Sequence, residues 1–544
     1  MQANLSAGLR NLFLLINLNF LIDLNDSKKI FADFAFKKNP ASRFNRIKKH
    51  NLIQIRKMEN QTKQQLNRQN SGIDTKLPIK IVQFGGGNFM RGFTDYVIDK
   101  LNKEVDFDAG IVNIQPTPNG SVHKLEEQGN LYTLFSRGIK KGEIIDEKCV
   151  ISAIQKSINP YTDYNSFLDL AKEEELEFVF SNTTETGIAY NEIENTYEGP
   201  HKNFPAKVAV LLHERYKHFN GAADKGLRII PCELIEENAI VLKGIILKYA
   251  QLWNLEQGFA EWVENSNHFH NTLVDRIVPG CPKDDLSTYE DQLDYEDPMM
   301  VVSETFLLWV IQGGEDLKQR IPFDQINEQI LVVDDIQPYR LRKVRILNGG
   351  HTLMLAPAIL AGKEIVKEAI DDQFIGTFLS ESIFNEVNQT LGLDETELKE
   401  FAEEVFDRFR NPFIKHHLAS IALYFVSKFK VRVVPSLLTY VERNNKLPLN
   451  LTFSLASLIR FYQGSFGEKS LPLNDEEAIV NRFKEIWKNE DYEIVSEQAL
   501  SEKLFWDTDL TQVEGLKAAV AKALYEIDHN DMETAYKNFI QFYS

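Results

Sequence analysis

Two short stretches of this 544-residue chain hold residue types at spacings that could do chemistry. The first runs Ile79-Lys-Ile-Val-Gln-Phe84-Gly85-Gly86-Gly87-Asn88-Phe89-Met90-Arg91: a β-branched run, a glycine cluster and a helix start. Glycines lack Cβ atoms, so the backbone can turn tightly and approach a pyrophosphate, whose charge the first turn of the following helix favours. The spacing is G-x-G-x-x-x-R rather than G-x-G-x-x-G, and Arg91 can add a charge-assisted bond to phosphate or substrate. Phe84, Gly85, Gly86, Gly87, Asn88, Phe89 and Arg91 are therefore candidate dinucleotide-binding residues. The same glycines would also serve a plain strand-to-helix turn. An acidic ribose ligand is expected at the end of the second strand. That end, Ile111-Val-Asn-Ile-Gln115-Pro-Thr117, carries neither an acid nor an Arg or Lys for a 2′-phosphate, which favours NAD over NADP.

The second stretch is Pro338-Tyr-Arg340-Leu-Arg342-Lys343-Val-Arg345-Ile-Leu-Asn348-Gly349-Gly350-His351-Thr352. On an α-helix Asn348 lies about 140° and His351 about 80° from Lys343, so the three share one broad face. Arg340, Arg342 and Arg345 surround Lys343, and like charges together with burial favour a neutral amine that can exchange a proton with a substrate hydroxyl. Asn348 can donate to a developing oxyanion, and His351 can orient hydroxyls. Gly349 and Gly350 cost about 1 kcal/mol each inside a helix relative to Ala, which implies a close backbone approach there. The bland alternative is a solvated basic helix start that runs into a core histidine.

The elements that must position these groups follow from periodicity. Short β-branched runs (79–85, 110–115, 177–181, 228–232, 273–278) alternate with helix-compatible segments (93–102, 164–174, 206–219), the pattern of a parallel, doubly wound sheet. The block 181–185 ends a strand on the ligand-binding side of such a sheet. An acidic, proline-flanked stretch at 282–298 marks a boundary, and Val301–Gln312, with Phe306 and Trp309, reads as core. Helical periodicity dominates beyond it. Asp394 and Glu397 are spaced as a capping box ahead of Leu398, Phe401, Val405 and Phe406. The expected class is α/β: an N-terminal Rossmann-like doubly wound domain over 77–297, then a mostly α-helical C-terminal domain over 298–544. Residues 1–76 are expected to be a disordered extension or a start-site artefact, with Met58 as the true start.

Composition narrows the function classes. Apolar residues make up 43% and charged residues 26%, which excludes a fibrous or wholly disordered chain. Formal net charge is −18; residues 1–57 hold 11 Lys and Arg against 3 Asp, so the remainder carries −26. A surface that acidic repels phosphate backbones and argues against a nucleic-acid partner. The three cysteines are far apart without CxxC spacing, which argues against a disulfide framework and fits a reducing cytoplasm. The apolar run Leu12–Leu24 is interrupted by Asn17, Asn19 and Asp23 and falls short of the ~20 residues of a membrane span. No metal is expected: HExxH is missing, and the pairs His268/His270 and His416/His417 lack a carboxylate or cysteine at ligand spacing. A serine-hydrolase G-x-S-x-G elbow is missing too.

Taken together, the blocks QFGGGNFMRGF (83–93), FVFSNTTETGI (178–188), PCELIEENA (231–239), TLVDRIVPG (272–280), VVDDIQPYRLRKVRILNGGHT (332–352) and RFRNPFIKHHLASIAL (408–423) make the chain resemble the polyol-specific long-chain dehydrogenases, the mannitol dehydrogenase family. The resemblance implies an NAD-dependent, metal-independent oxidoreductase acting on a small-molecule substrate. It implies Lys343 as catalytic lysine, Asn348 and His351 as its substrate-polarising partners, and Asp275 at the nicotinamide end of the cofactor. A further family lysine falls on Lys428. Ser420 and Leu234 stand where the family has an arginine and an asparagine in substrate-contacting positions, which weakens a mannitol assignment and suits a different substrate; the resemblance itself implies a sugar acid. A carboxylate needs a cation, and Arg408, Arg410, Lys415 and Lys428 are the candidates. Two other classes remain open to these residues: a catalytically silent NAD-binding sensor, and a membrane-tethered protein using residues 1–57.

Overall fold

Alternation along each strand dictates a sheet covered on both faces. In a computed structural model, which describes residues 63–120, 122–184, 186–281 and 285–544, the first eight strands are β1 (Ile79–Phe84), β2 (Gly110–Ile114), β3 (Tyr132–Lys140), β4 (Glu143–Ile151), β5 (Ile154–Ile158), β6 (Phe178–Ser181), β7 (Arg228–Pro231) and β8 (His268–Phe269). Six of them form one parallel sheet in the order β5-β2-β1-β6-β7-β8. Ile81, Ile111 and Phe178 enter one core with α1 (Thr94–Val105). Their neighbours Val82, Val112 and Val179 enter the other, under α2 (Phe204–His218) and α3 (Asn238–Leu252). β2, β6 and β7 are buried at every position, as strands sandwiched between helices must be. The strand order reverses between β1 and β6, and ligands of open α/β sheets bind at such a switch point.

The sequence expectation placed 273–278 among the parallel strands. Instead β9 (Thr272–Asp275) pairs antiparallel with β11 (Leu308–Gln312) in a second sheet of order β12-β11-β9, where β12 is Gln329–Val333. Two residues separate β8 from β9, far too few for the crossover a parallel neighbour requires. β3 and β4 form a hairpin, and β10 (Val301–Ser303) runs beside β3. The stretch after 298 thus contributes strands before it turns helical. Trp309 is fully buried, whereas Phe306 lies under the Arg408 guanidinium, 4.1 Å from its ring centre.

Helices then take over: α4 (Gln337–Arg342), α5 (Gly349–Leu360), α6 (Glu395–Phe409), α7 (Phe425–Arg432), α8 (Leu449–Phe461) and α9 (Leu516–His529). α8 is buried from Asn450 to Phe461 and forms the centre of the helical core with α5 and α9. Asp394 caps α6 by accepting from the backbone N–H of Thr396 and Glu397. The Glu397 carboxylate does not close the expected box; it takes Arg342.

Residues 1–62, including Leu12–Leu24 and Met58, lie outside the described residues, as does Glu185. The rest of the expected extension departs from disorder: Leu66 is fully buried, and Arg68 donates to the carbonyls of Gly129 and Ile154 at 2.9 and 3.0 Å. Gln65–Leu293 and Asp297–Ser544 belong to one compact unit. No helix of the described residues is long and apolar enough to cross a membrane.

Candidate active site

Lys343 opens a π-helical turn, 343–348, inserted between α4 and α5. Its i→i+5 hydrogen bonding sets Lys343 and Asn348 one turn apart in the same column, closer than the α-helical angle implied. His351 follows on the first turn of α5. The Lys343 side chain is 15% exposed; its ammonium donates to the Val274 carbonyl at 3.2 Å and stands 3.5 Å from Asp275 Oδ2. The Asn348 amide and the His351 ring make no hydrogen bond to another described residue, so their polar atoms are uncommitted. The His351 ring packs on Phe409 (4.2 Å between centroids) and faces His416 (5.1 Å). Burial, then the charges of His416, Arg408 and Arg432, hold its pKa well below the usual histidine value. It is neutral at physiological pH, with one nitrogen to donate and one to accept. The glycines do not mark the expected close backbone approach: a Cβ on Gly350 would stand 3.3 Å from the Phe409 ring, and one on Gly349 would be in ordinary contact, 3.4 Å from the Val344 and 3.6 Å from the Arg432 carbonyl oxygen.

The arginines flanking Lys343 in sequence do not crowd it. Arg340 pairs with Glu236 at 2.9 Å, Arg342 with Glu397, and Arg345 donates to the Val431 carbonyl. The nearest charge to Lys343 is the Asp275 carboxylate at the end of β9. Arg408 grips that carboxylate with two nitrogens, at 3.0 and 3.2 Å, and Glu304 with two more contacts, at 2.7 and 2.9 Å. Burial opposes ionisation of Asp275, but Arg408 and Lys343 outweigh it and hold its pKa below the usual carboxylate range. Every Arg408 nitrogen is engaged, so it cannot be the free cation for a substrate carboxylate that its position suggested. Arg410 and Lys415 are exposed, and Lys428 donates to the Ile421 carbonyl at 3.0 Å. Leu234 and Ser420 are both exposed.

The glycine turn sits at the switch point. Gly85 has φ +117° and donates to the Ile114 carbonyl; a Cβ there would lie 2.7 Å from the backbone oxygen of Asn182 at the end of β6. A Cβ on Gly86 would strike the Asn113 amide, whose buried nitrogen and oxygen both lack a partner. Gly87 faces open space and leads the turn Asn88–Arg91 without a side-chain cap, so the first N–H groups of that turn stay available. Open space, free N–H groups and an orphaned amide suit a dinucleotide phosphate. Phe84, by contrast, is fully buried against Phe204 and serves the core with its side chain. Arg91 is turned inward, to the Met299 carbonyl and Asn88 Oδ1. Phe89 stacks on Phe93. The 181–184 segment is clamped by buried Glu233, which accepts from Ser181 Oγ, Thr183 N and Thr183 Oγ1, each at 2.9 Å.

A family model described as the mannitol dehydrogenase Rossmann domain matches residues 79–325, and one described as the mannitol dehydrogenase C-terminal domain matches residues 335–528. The chain belongs to the mannitol dehydrogenase family. As a member it is an oxidoreductase acting on CH–OH groups. It is 42% identical over 464 residues to altronate oxidoreductase of Shigella flexneri serotype 5b (strain 8401), covering 84% of this chain and 96% of that one. To altronate oxidoreductase of Bacillus subtilis (strain 168) it is 40% identical over 467 residues, covering 86% and 96%. Among solved structures it shares its fold with a substrate-free D-sorbitol dehydrogenase (TM-score 0.69, 21% identity, 85% of this chain and 95% of that one). The ternary complex of Pseudomonas fluorescens mannitol 2-dehydrogenase with NAD and D-mannitol is a further likeness (TM-score 0.59, 21% identity, 88% and 99%).

Within this mannitol dehydrogenase-family fold, sequence reasoning missed Glu304, Glu233 and Asn113. Glu304 holds Arg408 from a segment some hundred residues away, and no spacing could announce it. Asn113 had a weaker signal: it is a polar residue inside the otherwise apolar run of β2.

Proposed function

We propose that this protein interconverts D-tagaturonate and D-altronate with NADH and NAD, using Lys343 as general acid and base. The observation that carries the chemistry is the Lys343 ammonium beside Asp275, followed along the same helix by an amide and an imidazole with no hydrogen-bond partner among the described residues. The substrate is supported by the 40–42% identity to relatives called altronate oxidoreductase across most of the chain. The cofactor is supported by the Rossmann family model and by the fit of the glycine turn. We assign the region of the Rossmann model, 79–325, to the cofactor and that of the C-terminal model, 335–528, to the substrate, with Asp275 reaching across to the lysine.

A bound nicotinamide supplies the hydride. Lys343 gives a proton to the oxygen of the keto group as it becomes an alkoxide, and takes it back in the oxidative direction. Asn348 donates to that oxygen as charge develops. His351, neutral, holds a neighbouring hydroxyl. Asp275, itself fixed by Arg408, keeps the ammonium from swinging away. Gly85–Asn88 and Asn113 form the phosphate cradle, and Glu233 keeps its far wall in place.

A substrate panel tests this reading. Purified protein is assayed with NADH and NADPH against tagaturonate, fructuronate and fructose. Tagaturonate with NADH is expected to give the highest kcat/KM. Equal or better turnover of fructuronate or fructose overturns the substrate, and a preference for NADPH overturns the cofactor.

A further inference from the structure

Several cations around the lysine are already answered by carboxylates; Arg345 and Lys428 donate to backbone carbonyls instead, and Arg432 to neither. Arg408 lies between Asp275 and Glu304, Arg340 pairs with Glu236, and Arg342 with Glu397. Arg432, at the end of α7, is half-buried and makes no ion pair with a described residue. Among the described residues its side chain makes a single hydrogen bond, from Nη1 to Thr352 Oγ1 at 3.2 Å, and the same Thr352 hydroxyl donates to the Asn348 carbonyl at 2.9 Å. Its guanidinium therefore sits one side chain from Asn348 and beside His351, whose pKa its charge helps to lower. Lys428 precedes it by one helical turn and spends one proton on the Ile421 carbonyl. His416, in electrostatic contact with Lys428, meets the His351 ring edge to face.

A half-buried guanidinium without an acid costs stability unless something anionic joins it. A planar fork with free N–H groups matches a carboxylate in two-point geometry, which an ammonium does not. Resting on the functional reading above, we infer that Arg432, with Lys428 one turn away, seats the carboxylate of the sugar-acid substrate and selects it over a neutral sugar. Arg432 thereby takes the part that sequence position had suggested for Arg408. It binds and orients; it does not transfer a proton.

The test compares kcat/KM for tagaturonate with that for fructose in wild type, Arg432→Gln, Arg432→Met and Arg432→Lys, with NADH binding by fluorescence as the check that each protein is folded. A charge-assisted hydrogen bond of about 1.5–3 kcal/mol predicts that the acid-over-neutral ratio falls about 10–150-fold in the two uncharged variants. The loss falls mainly on KM for the acid, and Arg432→Lys recovers part of it. A ratio unchanged in Arg432→Gln and Arg432→Met overturns the role of Arg432 while leaving the proposed function intact. A wild type that shows no preference for the acid overturns both. If one uncharged variant fails to bind NADH, the other decides.

Discussion

The glycine cradle and the lysine centre lie in one molecule but are built on opposite plans. The cradle is a contiguous run, Gly85 to Arg91, closed by backbone oxygens at the ends of β2 and β6, and it leaves space and unpartnered polar atoms where a ligand would complete it. The lysine centre is drawn from segments near 275, 304, 343 and 408, and each charge in it fixes the next. One is defined by volume, the other by charge. The cradle should therefore fail when an atom is added, and the centre when a charge is removed. The two failures should also register in different measurements.

The sharpest separation comes from Lys343→Ala. Loss of a positioned general acid and base lowers kcat by about 10²–10⁴. The NADH dissociation constant, read by fluorescence titration, should stay at the wild-type value, because the Lys343 ammonium bonds to the Val274 carbonyl and Asp275 rather than to the glycine turn. A parallel loss of NADH affinity would show that the two regions are not independent. Unchanged turnover would remove Lys343 from the mechanism altogether.

Arg408→Leu probes the centre from behind. It leaves Asp275 and Glu304 buried together with no shared cation, a loss of about 3–5 kcal/mol when one partner of a buried pair is removed. The pH dependence carries a sign. In the wild type Arg408 and Lys343 hold Asp275 below the usual range, so its contribution is present at neutral pH and lost in acid. Burial already raises Glu304 in the wild type; without Arg408 it rises further and Asp275 loses the larger of the two charges holding it down, so the variant loses stability relative to wild type as pH rises. The deficit, measured by thermal melts, should be largest near neutrality and narrow toward pH 5. A deficit independent of pH would mean that packing against Phe306, not charge, is what Arg408 contributes.

The same contrast explains what could be read from residues alone. The cradle and the parallel strands were legible because their signals are local: an apolar run, glycines and a helix start within fifteen residues. That Lys343, Asn348 and His351 lie along one helical stretch was legible, but their angular spacing was not, since a π-turn leaves no mark in the pattern of types. The fate of Arg408 was hidden because a cation next to two carboxylates distant in sequence looks the same as one facing solvent. Arg340, Arg342 and Arg345 misled for the converse reason: neighbours in sequence, they leave the helix toward separate partners. The strands after Val301 were masked by a composition that suits a buried helix equally well.

The smallest effect divides the cradle itself. Gly85→Ala would put a methyl 2.7 Å from the Asn182 backbone oxygen at a φ of +117°, and a strained backbone of this kind costs about 1–3 kcal/mol. That variant should melt lower even without ligand. Gly87→Ala meets nothing within 4 Å and keeps an ordinary φ of −70°. Its melting temperature should match the wild type, while NADH binding weakens, because the new methyl occupies space that only a bound phosphate needs. If Gly87→Ala bound NADH as tightly as wild type, the dinucleotide would have to approach from another side of the turn, and the cradle would be structural glycine geometry alone.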